Sequence, residues 1–203
     1  MKGFSIVSFA LVSASLIVMT GCAKAPESEL STAKAALDSA RSVQAETYVA
    51  AEFSAASDSL KAAQTEIEKQ KSGLVGRNYD KAKALLASAT LIAHNAQIKA
   101  VEEKQKMKVE TDSAMSREDT LIGETKTLLA KAPKGKDGKT ALEAIGSEIE
   151  ALEASHAETM QIKSIENYPK AISQVNAQIA KLDSIKVELT TAIGKVSAKK
   201  SKK

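Results

Sequence analysis

The chain has one cysteine, Cys22, and no tryptophan in 203 residues. A lone cysteine excludes an internal disulfide, so packing alone must hold the fold. Aromatic residues make up 3% of the sequence, and beyond Cys22 they are Tyr48, Phe53, Tyr79 and Tyr168. So few bulky rings exclude a sandwich or barrel core, whereas helices can be built from alanine and leucine. The prolines, Pro26, Pro133 and Pro169, all stand where a helix could start or stop. The two histidines, His94 and His156, have no second histidine or cysteine at metal-ligand spacing, so no metal site is expected. No nucleophile elbow, phosphate-cradling glycine loop or dinucleotide fingerprint is present. Gly135-Lys136-Asp137-Gly138 is a loop without the rest of a phosphate-binding motif. We therefore expect no catalytic residue, no cofactor and no enzyme.

One long uncharged run is present, Phe4 to Met19, after a short basic start at Met1-Lys2. As a helix it would span about 24 Å, short of the roughly 30 Å hydrocarbon core. That length suits a signal peptide better than a membrane span. Met19-Thr20-Gly21-Cys22 closes the run. This stretch resembles the lipobox of bacterial lipoproteins, although Met19 stands where leucine is usual. The resemblance implies cleavage between Gly21 and Cys22 and lipidation of Cys22. It implies a diacylglyceryl thioether and an N-acyl chain, and two chains anchor stably where one does so marginally. Ala23 follows the cysteine, not the aspartate that retains lipoproteins in the inner membrane of enteric bacteria. The expected location is the cell envelope, on the periplasmic face of the outer membrane.

The formal net charge is +4, but it is unevenly placed. Of the 29 basic residues, Lys2 lies in the leader and Lys195, Lys199, Lys200, Lys202 and Lys203 crowd the end. The remaining body is slightly acidic, so nucleic acid is not an expected partner. Residues 197–203 read as a disordered basic tail. Its lysines, Lys199, Lys200, Lys202 and Lys203, are the candidate contacts for an anionic envelope polymer such as peptidoglycan, or for lipid head groups.

Between these ends the pattern is helical throughout. Leu30, Ala33, Leu37 and Ala40 share one face, and a second series begins with Phe53, Ala56, Leu60, Ala63 and Ile67. No glycine or proline separates the two series, which predicts a kink rather than a stop near Glu46. Ser72 to Arg77 forms a turn, and Asn78 is a good cap for the next helix. Tyr79, Ala82, Leu86, Ala89, Ala93, Ala96 and Ala100 then make an alanine seam that invites close helix approach. This pattern has no breaker before Pro133, so one helix of about 80 Å is expected. Its middle, Glu102 to Asp119, is charged and reads as an exposed joint. After the loop at 132–138, Leu142, Ile145, Ile149, Leu152 and His156 mark one helix. Ile172, Val175, Ile179, Leu182, Leu189, Ile193 and Val196 mark the last.

Two matches suggest an internal repeat. Leu60 to Glu68 resembles Leu142 to Glu150, and Asn78-Tyr79-Asp80-Lys81-Ala82 resembles Asn167-Tyr168-Pro169-Lys170-Ala171. The two offsets differ by about two helical turns, which keeps the seam on one face. Tyr79 and Tyr168 then read either as recognition residues at hairpin tips or as rings closing the ends of the seams.

The first hairpin, through Ala45, Tyr48, Phe53, Ala56, Leu60, Ala63, Tyr79, Ala82 and Ala89, resembles a domain-of-unknown-function family of bacterial envelope lipoproteins. That family has alanine-rich helices, a Tyr-Ala-Pro kink and a Tyr-x-x-Ala helix start. Ala50 stands here at the position of the kink proline. The resemblance covers about residues 33 to 100 and implies location and shape, with no activity. The expected architecture is all-α: an elongated antiparallel bundle of coiled-coil hairpins, two tandem units sharing a long central helix. The divisions are a signal peptide at 1–21, a tether at 22–27, helical units at 28–105 and 106–196, and the tail. The expected function is a lipid-anchored structural or adaptor protein whose partners are the membrane and other envelope proteins. The alternative is a module that binds an anionic envelope polymer or lipid through the tail.

Overall fold

The computed structural model describes residues 23–73, 76–133 and 138–200. Among them are six helices and no strand: α1 (Glu27–Ser42), α2 (Ala45–Tyr48), α3 (Ala50–Ser72), α4 (Asp80–Lys131), α5 (Lys139–Ser164) and α6 (Tyr168–Lys200). The central helix α4 has 52 residues and is about 78 Å long.

Contacts along α4 give the direction of every neighbour. Lys81 pairs with Glu66 and Lys99 with Glu52, so α3 runs antiparallel to α4. The start of α1 shares a groove with Lys83 and Leu86, while Ala40 clusters with Ala96 and Ala100, so α1 runs parallel. In the second half, Lys163 pairs with Asp112 and Lys126 with Glu153, making α5 antiparallel. Arg117 pairs with Asp183 and Glu124 with Lys186, making α6 parallel. Two up-down-up three-helix bundles are therefore stacked end to end on one shared helix.

Two helices, α4 and α6, start beside an asparagine whose side chain accepts a backbone N–H. Asn78 Oδ1 accepts the N–H of Asp80 at 2.7 Å. In the second turn Pro169 has no N–H to give, and Asn167 Oδ1 accepts that of Lys170 instead, at 3.3 Å. The two seams that follow agree position by position at an offset of 89. Tyr79 just before α4 and Ala82, Leu86, Ala89 and Ala93 within it are buried, as are Tyr168, Ala171, Val175, Gln178 and Leu182 in α6. Tyr79 and Tyr168 are 3% and 5% exposed, which makes them seam-closing rings rather than recognition residues.

Four expectations need correction. The chain does not kink near Glu46; it reverses through α2, with Gln44 in the left-handed region at φ 63°. Tertiary packing supplies the break that glycine or proline would otherwise mark, because Ala45, Tyr48 and Val49 are buried against Ala96 and Ala100. The exposed joint of α4 is shorter than expected, since Thr111, Met115 and Glu118 are already buried. The repeat matches in face but not in register. Glu66 pairs with Lys81, yet its counterpart Glu148 shares a groove with Lys181, three turns beyond Lys170. Finally, α6 runs on to Lys200, where an unstructured end was expected. Lysine is a good helix former, and cations near a helix C-terminus interact favourably with its dipole. Residues 201–203 lie outside the described ones.

Two outcomes test this architecture. Solution scattering should give a radius of gyration clearly above the roughly 16 Å of a compact domain of this length; a compact value would mean that α4 folds back. Ala89 is 2% exposed in the alanine seam, so Ala89→Leu should cost about 1–3 kcal/mol by overpacking, read as a lower thermal midpoint.

Candidate functional site

Gly21, Cys22, Lys202 and Lys203, four of the sites predicted from the sequence, lie outside the described residues. Lys199 and Lys200 are the last two residues of α6. The described residues themselves hold two polar constellations, one at the waist between the bundles and one inside the second bundle.

At the waist the turn after α1 meets the turn after α5. The Tyr48 hydroxyl donates to the backbone carbonyl of Glu166, a residue with φ 58°. The Glu166 carboxylate reaches across to Lys104 Nζ at 2.5 Å. Beneath them Ala40, Ala45, Ala96, Ala100 and Tyr168 form one buried cluster. Burial pushes the Tyr48 phenol above its ordinary value, which keeps the hydroxyl protonated as a donor. This contact ties the two bundles to each other as well as to α4. Sequence reading singled out Tyr168 but gave no sign of its neighbour, because residues 48 and 166 are far apart in the chain.

Inside the second bundle a polar ladder replaces the alanine seam. Thr111, Glu118 and Thr125 follow one another at seven-residue steps on α4, each fully buried. The two threonines satisfy themselves: Thr111 Oγ1 donates to Met107 O at 2.7 Å and Thr125 Oγ1 to Leu121 O at 2.8 Å. Glu118 cannot do so. Its Oε2 lies 2.7 Å from His156 Nδ1, and its Oε1 has no partner among the described residues. The other ring nitrogen of His156 lies 3.3 Å from Asp119 Oδ1, so the imidazole stands between two carboxylates. One helical turn along, Gln178 Nε2 donates to Ser155 Oγ at 2.5 Å and to Thr159 Oγ1 at 3.2 Å.

The expectation that His156 lies on a seam holds, and its position 13% exposed shows why. His94 is exposed on α4. Burial raises the Glu118 carboxyl above its ordinary 4.5, and the hydrogen bond and charge of His156 pull it back. The imidazole meets the carboxylates of Glu118 and Asp119, and among the described residues no hydroxyl or thiol is hydrogen-bonded to it. Among the described residues no cluster of three or more His, Cys, Asp or Glu could hold a metal ion, and no helix is long and apolar enough to cross a membrane.

No protein-family model, curated protein sequence or solved structure matches this chain.

Because the folded-state pKa of Glu118 is raised, the folded chain binds a proton more readily than the unfolded one. The stability that this group contributes is full below its ordinary value and is lost as pH rises through the raised one. Glu118→Gln keeps the shape and should remove that fall, seen as a flatter profile of unfolding midpoint against pH. His156→Ala should instead cost roughly 3 kcal/mol at neutral pH, because it strands a buried carboxylate. At the waist, Tyr48→Phe loses one buried hydrogen bond and should cost about 1 kcal/mol in denaturant melts.

Proposed function

We propose that the protein is a lipid-anchored, non-catalytic spacer or adaptor of the bacterial cell envelope, held at the periplasmic face of the outer membrane. The leader and Met19-Thr20-Gly21-Cys22 support the anchor. The observation that carries the structural role is the sharing of α4: one 52-residue helix belongs to two bundles that also clasp each other through Tyr48 and Glu166. Such a body resists bending at its middle, as a spacer must. Its interior is filled by an alanine seam in one half and by larger apolar residues, with a polar ladder among them, in the other. What it exposes is helix surface suited to protein partners rather than a cleft suited to a substrate.

A second reading rests on the lysines at 195, 199, 200, 202 and 203, since no acidic residue follows Glu188. Near an anionic surface each could add about 1 kcal/mol. In this reading the carboxyl-terminal end of α6 and the residues after it hold the cell wall or lipid head groups, while the amino-terminal lipid holds the membrane.

The anchor is tested by mass spectrometry of the mature amino terminus, which should begin at an acylated Cys22. Cys22→Ser should leave the protein unprocessed at that site. A variant processed normally and still carrying lipid would remove the proposal. For the second reading, deletion of residues 197–203 should abolish salt-sensitive binding to purified cell wall and to anionic liposomes; unchanged binding would leave the lysines as a solubilising end.

A further inference from the structure

Helix α4 has neighbours on two flanks and a third face with none. On one flank Lys83 lies near α1, and Asp112 and Lys126 pair with α5. On the other, Lys81 and Lys99 pair with α3, and Arg117 and Glu124 with α6. The remaining face runs from Ala84 to Thr127 in steps of three and four residues, and every position along it is exposed. That is a strip about 65 Å long. In a chain with 27% charged residues, Glu102 is the one charged side chain on it. Solvated helix faces are ordinarily where the charges go. Here Leu91, Ile98 and Val109 occupy the strip, at 63%, 59% and 58% exposed.

Gly123 is an independent sign. It stands inside α4 on the same strip, and a Cβ added there would meet nothing within 4 Å. Glycine weakens a helix interior relative to alanine, and no contact within the chain asks for it. A glycine in this position fits the close approach of another helix from outside.

We propose that this face is a self-association surface, on which α4 of a second copy packs antiparallel. A strip this long and this free of charge needs a partner face of equal length and character, and the same strip on another copy supplies it. The order of charges selects the antiparallel arrangement. Around the middle of α4 the sequence is Glu102-Glu103-Lys104-Gln105-Lys106, acids before bases. A parallel copy in register would set Glu102 against Glu102. A copy related by a two-fold axis between residues 103 and 104 sets Glu102 beside Gln105 and Lys106 of its mate. The same axis sets Ile98 opposite Val109, Leu91 opposite Ser116, and Ala84 opposite Gly123. Large residues thus meet small or matching ones, and the glycine receives the closest approach. The association carries the amino-terminal ends of the two copies to opposite ends of the assembly. It does not rest on the anchor proposed above.

The test uses the full chain with Cys22→Ser, purified in detergent. Sedimentation velocity should show a dimer. The double variant Ile98→Glu/Val109→Glu should weaken association at least tenfold while its thermal melt by circular dichroism stays unchanged, because both residues are exposed. For orientation, Ala84→Cys and Gly123→Cys chains, each with Cys22→Ser, are mixed and oxidised. A disulfide between the two kinds of chain is expected. The proposal is overturned by a chain that stays monomeric at high micromolar concentration. It is equally overturned by a dimer indifferent to Ile98→Glu/Val109→Glu, or by Ala84→Cys chains that link to one another instead.

Discussion

One continuous buried stripe along α4 organises the molecule. Ala82, Leu86, Ala89, Ala93, Ala96 and Ala100 lie on it in the first half, and Thr111, Met115, Glu118, Ile122 and Thr125 in the second. The steps of three and four residues are kept across the exposed middle, where half-buried Met107 stands in line between Ala100 and Thr111. Because the phase never changes, both bundles sit on the same side of one helix. A slip of one residue would have turned the second bundle about 100° around α4. The waist contact between Tyr48 and Glu166 could not then form, since it needs the two inner turns face to face.

The two halves fill the same geometry with different chemistry. In the first, alanine on α4 lets α1 and α3 come close, and the larger residues, Leu37, Leu60 and Ile67, come from the partner helices. In the second, large residues come from both sides: Ile145, Ile149, Leu182 and Leu189 meet Met115, Leu121 and Ile122. The polar ladder runs through that core, Thr111, Glu118 and Thr125 alternating along α4 with Met115, Leu121 and Ile122. Its threonines cost little, because each returns its hydroxyl proton to its own helix. Glu118 is different, since a buried carboxyl with one free oxygen has value only through its neighbour. The bond to His156 fixes which residues of α4 and α5 lie level, so this pair sets register rather than adding net stability.

The outer surface of α4 obeys another constraint. Its ion pairs to other helices stand on the flanks, where they hold α3, α5 and α6 in place, and leave the outward strip with a single charge, Glu102. A helix that served only as an internal axis would have no reason to keep that strip so nearly free of charge over so great a length. The same helix therefore serves as the axis of the monomer and as the face that the monomer presents.

Much of this was legible in the sequence, for reasons of periodicity. The three-four spacing of Tyr79, Ala82, Leu86, Ala89 and Ala93, with no glycine or proline before Pro133, fixed a long α4 and its buried side, because an unbroken helix buries whatever recurs every 3.6 residues. Asn78 and Asn167 marked helix starts because their side chains accept a backbone N–H wherever a helix begins. Tertiary structure alone decided the rest. Nothing in residues 43–49 announces a reversal, since Gln44 takes its left-handed conformation only because Tyr48 and Val49 are buried against α4 and α6. Nothing marks Thr111 or Glu118 as buried, because a polar residue counts against burial until its partner is known. For Glu118 that partner is His156, 38 residues away in sequence. The register of α5 on α6 was likewise out of reach of the repeat, because shifts by whole turns leave the same face inward and only side-chain fit chooses among them.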